Sequence, residues 1–228
     1  MREVVFDTET TGLDPAEGHR LVEVAGIELI NHLPTGRTFQ RHINPERSVP
    51  EEAQRVHGLS EEFLADKPRF AEVADELLEF LGDSKLVIHN AAFDMKFINW
   101  ELKAVDRPTL PSDRAKDTLA MARRRYPGAQ ASLDALCRRF GIDNSARGHH
   151  DALLDCELLA EVYLELIGGR QPQFLLAAEA VRQSKAVEAQ ASRPEAPSRP
   201  SRPHSASPAE LEAHEKMLDQ LKDPLWRR

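Results

Sequence analysis

The sequence predicts a mixed α/β sheet domain flanked by helices and followed by a flexible C-terminal tail. Three observations carry this reading. Strand-length apolar runs come first and group as an antiparallel meander. Apolar residues at helical spacing then alternate with one further strand. Beyond Gly168-Gly169 the composition turns to Pro, Ser, Ala and charge. Residues 3–8 are a short apolar run ending in Asp-Thr-Glu-Thr-Thr-Gly, a strand leading into a turn. Residues 22–30 and 37–43 are further strands, joined by a turn around 31–36. Phe70, Val73, Ala74, Leu77, Leu78 and Leu81 recur at helical spacing behind Pro68. Residues 85–88 form a short buried strand. Residues 91–105 form a helix whose Phe93 and Phe97 read as core. Leu133, Leu136, Cys137 and Phe140 mark a helix stopped by Gly141. Leu153, Leu154, Leu158, Val162, Leu166 and Ile167 mark the last helix of the body, so the domain spans residues 1–169.

With 228 residues, 41% of them hydrophobic, the chain can bury one ordinary core and still carry a tail. Met1-Arg2-Glu3-Val4-Val5-Phe6-Asp7 reaches an acid too soon for a signal peptide, and no apolar run approaches the ~20 residues that cross a bilayer. Cys137 and Cys156 sit among leucines in helical patterns and read as reduced core thiols rather than a disulfide. The expected setting is cytoplasmic. Net charge is −8, with 20 Lys+Arg against 30 Asp+Glu in residues 1–169. A broad basic surface for nucleic acid is thereby excluded, although divalent ions bridging carboxylates to phosphate would still allow a polyanionic substrate.

The acids then decide the chemistry. Asp7 and Glu9 are two apart at a strand end, so both side chains leave the same face. Paired carboxylates repel unless a cation neutralises them. Asp94 follows the strand 85–88 at a strand-to-helix junction. His150 and Asp155 flank the start of the last helix, and their gap of five turns a regular helix by ~500°, so His150 must lie in the preceding loop or the first turn to share a site. Oxygen donors of this kind suit Mg²⁺ or Mn²⁺. Two such ions suit phosphodiester hydrolysis, with the histidine as proton acceptor. On spacing alone, Asp7 and Glu9 read equally well as turn-capping acids.

Asp7-Thr8-Glu9-Thr10-Thr11-Gly12, His89-Asn90-Ala91-Ala92-Phe93-Asp94 and His150-Asp151-Ala152-Leu153-Leu154-Asp155 resemble, in order, the three motifs of the DEDDh exonucleases. The resemblance implies a ribonuclease H-like fold, with Asp7, Glu9, Asp94 and Asp155 as ligands of two Mg²⁺ or Mn²⁺ ions and His150 as general base. Within that family the chain is similar to the proofreading subunits of bacterial replicative DNA polymerases, through residues 50–59, Asp66-Lys67-Pro68, residues 132–137 and the ending Leu225-Trp226-Arg227-Arg228. This likeness implies a single-stranded DNA 3′ end as substrate, bound by Asp7, Glu9 and Asp155. Glu52 and His57 would touch the terminal nucleotide, and Val56 would pack beside its base. Asp151, where many relatives carry a small residue, is a departure expected to raise the proton affinity of His150.

The rival readings are weaker. An RNA 3′ exonuclease would use the same chemistry but has no evident use for the tail. A silent adaptor would not need all four acids. His149-His150-Asp151 imitates an iron facial triad, but the leucine-rich helix does not suit the barrels that carry one. His89 reads as a supporting hydrogen-bond donor. Residues 123–125 and 138–139 are arginine runs that would either hold distant phosphates or form a solvated helix face.

Residues 170–207 read as a linker, richest in Pro and Ser over 184–207. Gln171-Pro172-Gln173-Phe174 loosely resembles a sliding-clamp peptide, with Gln171 and Phe174 as anchors. Ser207-Pro208-Ala209-Glu210 has the form of a capping box. Residues 208–228, with Leu211, Leu218, Leu221, Leu225 and Trp226, read as a docking segment for the catalytic (alpha) subunit of the polymerase.

Overall fold

The structure, a computed structural model, describes residues 1–145, 148–169 and 206–220. The chain divides into two units, Met1–Phe174 and Leu175–Arg228. In the first, β1 (Arg2–Thr10), β2 (Leu21–Ile30) and β3 (Leu33–His42) form the antiparallel meander, while β4 (Lys85–Ile88) and β5 (Ala115–Asp117) run parallel to β1, in the order β3-β2-β1-β4-β5. The helices are α1 (Glu51–His57), α2 (Glu61–Leu64), α3 (Phe70–Leu81), α4 (Ala91–Ala104), α5 (Thr118–Arg125), α6 (Leu133–Phe140) and α7 (Ala152–Leu166). In the second unit, α8 (Pro208–Asp219) begins at Ser207 with the capping box formed as expected. None of the described helices is long and apolar enough to cross a membrane.

The pleat of β1 sorts the core into two layers. Val4 and Phe6 pack with Phe70, Leu77 and Phe97 from α3 and α4, whereas Val5 packs with Leu136, Leu159 and Tyr163 from α6 and α7. By the same alternation Asp7 and Glu9 share the α7 side and Thr8 the α4 side. Cys137 and Cys156 are buried in the α6–α7 layer.

Two differences from the sequence reading have physical causes. The turn expected over 31–36 is only Asn31-His32, both with positive φ (51° and 69°), the geometry of a tight hairpin. Pro34 and Gly36 lie inside β3, which tolerates them because it is an edge strand. The first strand does not stop at residue 8 but carries both Asp7 and Glu9, ending at a register shift between Glu9 and Thr10. Such irregularities re-aim side chains beside active sites.

Candidate active site

The site sits at the carboxyl ends of the parallel strands β1 and β4, where an open α/β sheet offers a crevice. One cleft is lined by Asp7, Glu9, Asp94, His150 and Asp155. Each arrives from a different local device. Asp7 and Glu9 project from β1. Asn90, with φ of 70°, turns the chain sharply from β4 into α4 and sets Asp94 in that helix's first turn. Asp155 lies in the first turn of α7, whose N-cap is Asp151: its Oδ1 accepts from the Leu154 amide at 2.9 Å. The departure at Asp151 therefore has a capping task. His150 precedes the cap in the loop, as the spacing required, and its own amide donates to the Val56 carbonyl of α1 at 2.9 Å.

His150 Nδ1 lies 3.3 Å from Asp155 Oδ2 and 3.9 Å from Glu9 Oε1. The donor atoms of Glu9, His150 and Asp155 all fall within 4.8 Å of one another, a separation that one metal ion can span. Asp94 is buried, and Thr8 Oγ1 donates to its Oδ1 at 2.7 Å. Burial pushes the Asp94 carboxyl up to about 7, against hydrogen bonds that favour the ionised form. Thr8 escaped the sequence reading, although it is the middle residue of Asp-Thr-Glu and its side alternates toward α4.

The supporting residues are equally specific. His89, which lines the cleft, has its Nδ1 3.0 Å from Thr118 Oγ1, whose hydroxyl also lies 3.2 Å from the Ile88 carbonyl. Phe97 is core, and Phe93, partly buried, packs against the same core while also lining the cleft. The structure also brings in Glu23, opposite Glu9 in the β1–β2 ladder and buried. Its signal was a lone pair of acids in the apolar run Leu-Val-Glu-Val-Ala-Gly-Ile-Glu-Leu-Ile.

A second pocket shares Glu9 and Phe93 with the first and is walled by Glu52, Val56 and His57. His57 Nδ1 accepts the Leu59 amide at 3.0 Å, so the ring proton sits on Nε2. That atom is buried without a partner among the described residues. Gln171, Phe174, Leu225 and Trp226 lie outside the described residues.

A sheet of this order with its acids on β1, α4 and α7 defines a ribonuclease H-like exonuclease, and comparison agrees. The RNase_T family, described as Exonuclease, matches residues 4–163. Among solved structures, the nuclease domain of 3′hExo, a DEDDh family member bound to rAMP, superposes with a TM-score of 0.64 at 19% identity, covering 73% of this chain and 91% of its own. Exonuclease X in complex with 5′ overhanging duplex DNA gives a TM-score of 0.57 at 26% identity, covering 72% of this chain and 90% of that one. Two curated relatives are both DNA polymerase III subunit epsilon. The one from Rickettsia conorii is 57% identical over 76% of this chain and 77% of its own length. The one from Escherichia coli K12 is 42% identical over 99% and 97%. The chain belongs to the exonuclease family and, within it, to the DNA polymerase III epsilon subunits. It is a 3′→5′ DNA exonuclease of the proofreading kind. RNA trimming is not favoured.

Proposed function

We propose that Asp7, Glu9, Asp94 and Asp155 hold two divalent ions, Mg²⁺ or Mn²⁺, and that His150 is the general base that removes a mispaired 3′-terminal nucleotide from DNA as its 5′-monophosphate. The donor set fits such ions: carboxylate oxygens from three segments converge, and a cation beside the buried carboxyl of Asp94 would favour its ionised form. When bound, the ions would supply charge neutralisation at the phosphate and activation of the attacking water. The protein's own part is positional and acid–base. Nδ1 of His150 faces Asp155 and Glu9, and the imidazole would take the proton of the attacking water. The carboxylates then stabilise the imidazolium that results. Glu52 and the Nε2–H of His57 would fix the terminal nucleotide, with Val56 against its base; a sugar oxygen would give that buried donor its partner.

The observation that carries this reading is the meeting of His150, Asp155 and Glu9 within one metal-sized cluster. The test is release of 5′-mononucleotides from a 3′-mismatched primer with Mg²⁺ or Mn²⁺ and its arrest by chelation. Failure of any divalent ion to support release would overturn the assignment.

The same reading extends to the whole chain. Residues 1–169 are the nuclease, 170–207 a tether, and 208–228 the anchor to the alpha subunit of the polymerase, through Leu225 and Trp226. Gln171 and Phe174 would meet the sliding clamp, and the assembly would act in the cytoplasm. Support comes from the formed cap at Ser207 and from similarity to the Escherichia coli relative over nearly the full length.

A further inference from the structure

The fold separates several members of the two arginine runs. Arg125 Nη1 donates to the carbonyls of Glu165 and Leu166 at 3.3 and 2.6 Å, and so closes the end of α7. Arg139 lies over the Tyr126 ring, 4.5 Å from its centre. Both are accounted for by packing. Arg138, on α6, is exposed and makes no hydrogen bond or ion pair among the described residues. Arg55, on α1, is exposed, with only Nε engaged, donating to the Glu51 carbonyl of its own helix at 3.3 Å.

Arg138 and Arg55 wall one cleft, and this cleft adjoins the catalytic one, sharing Asp134 and His150 with it. Val56 borders both it and the pocket of Glu52 and His57. A body with 30 acids and 20 bases would ordinarily pair its surface arginines. Here two guanidiniums without acid partners among the described residues open onto the same cleft, next to the catalytic one. We infer that the Arg55–Arg138 cleft carries backbone phosphates of the DNA strand upstream of the terminal nucleotide. The inference rests on the exonuclease reading of the neighbouring cleft and adds to it a strand path. The grip is on phosphate and independent of sequence, because guanidiniums supply forked donors and Asn144 adds only an amide already donating to Asp134 at 3.0 Å.

The test compares two substrates. One is a single strand of about twelve nucleotides; the other is the p-nitrophenyl ester of thymidine 5′-monophosphate, which has no upstream phosphate. Arg138→Ala should raise KM on the strand about 5-fold, and the Arg55→Ala/Arg138→Ala pair about 20-fold, with kcat nearly unchanged. Neither should alter turnover of the ester. The salt dependence of strand binding, read by fluorescence anisotropy with Ca²⁺ replacing Mg²⁺, should flatten by about 0.7 per lost contact. Arg138→Lys should recover most of the loss. Equal losses on both substrates would place Arg138 in the catalytic cleft, and unchanged KM and anisotropy would make the cleft a solvated face; either overturns the inference. Failure of the parent protein to turn over the ester or the strand would instead count against the exonuclease reading, and the anisotropy still decides the strand path.

Discussion

Glu23 Oε2 accepts the backbone amide of Ala152 at 3.2 Å, tying the strand opposite Glu9 to the first residue of the helix that carries Asp155. Its other oxygen receives Gln40 Nε2 at 2.7 Å and lies 3.3 Å from His42 Nε2. Burial raises the carboxyl's pKa against these partners. A buried acid so engaged positions the start of α7, and with it both Asp155 and the loop of His150. Glu23→Ala orphans the Ala152 amide and should lower kcat about 10-fold or more with KM for the DNA end little changed. Glu23→Gln keeps one acceptor for that amide if Gln40 turns its own oxygen inward, and should recover most of the rate. Loss of melting temperature in both variants, with kcat intact below the transition, would reduce Glu23 to a structural role.

Asp7→Ala should abolish Mg²⁺-dependent degradation and leave the fold standing. Asp7 is only partly buried at the end of β1, and its removal relieves carboxylate repulsion in the metal-free cleft. Circular dichroism melting alongside primer degradation checks both halves. More than a trace of cleavage with a normal melting curve would remove Asp7 from the metal site.

His150→Ala should lose about 10²- to 10⁴-fold in rate and keep both metal sites, because the four carboxylates remain. Mn²⁺ titration calorimetry is the check. Loss of a site together with activity would make His150 a ligand, a role its place between Glu9 and Asp155 also permits geometrically.

His57 should be neutral, with its proton on Nε2, throughout the working pH range. Burial is the main cause that lowers its pKa to about 4, and His150 adds to it. The sign follows from linkage. Between pH 6.5 and about 4 the unfolded chain binds this proton and the native one does not. The contribution to stability is complete above pH 6.5 and is lost as pH falls toward 4. His57→Gln should therefore lose less stability than the parent over that interval. Nitrogen-15 NMR of the ring reads the tautomer directly; a proton on Nδ1, or a pKa near 6.5, would contradict the arrangement.

Much of this was legible in the sequence because the motifs are local. Asp7 and Glu9 share a face through strand alternation, and Gly141 stops its helix at a positive φ. Helical arithmetic confined His150 to the preceding loop or the first turn, and it lies in the loop. What the sequence hid depends on which elements meet. β5 is three residues, Ala-Lys-Asp, with no apolar run, and exists because β4 offers it a parallel edge. Helix α1 is polar along most of its length and shows its purpose only when Val56 receives the His150 amide. Glu23 and Thr8 acquire partners 129 and 86 residues away, beyond any local pattern.

Deletion of residues 208–228 should separate polymerase binding from catalysis. The described part of this segment is a helix with an intact capping box: Ser207 Oγ accepts the Glu210 amide at 3.3 Å, and Glu210 Oε2 accepts the Ser207 amide at 2.7 Å. Capping of this kind suits a helix that must persist apart from a large core, since twelve residues are marginal alone in water. Leu211 and Met217 on it are exposed, and Leu225 and Trp226 follow in sequence. Large apolar side chains at a chain end are better explained by an interface than by solubility, and Trp is favoured among hot-spot residues. A tether between such an anchor and the nuclease would raise the nuclease's local concentration at the primer end. The truncated protein should digest free single-stranded DNA at nearly the parent rate, because Asp7, Glu9, Asp94, His150 and Asp155 all precede the deletion. It should no longer co-elute with the polymerase alpha subunit on gel filtration, whereas a fusion carrying residues 208–228 alone should. Co-elution of the truncated protein at unchanged affinity would place the anchor on the nuclease body.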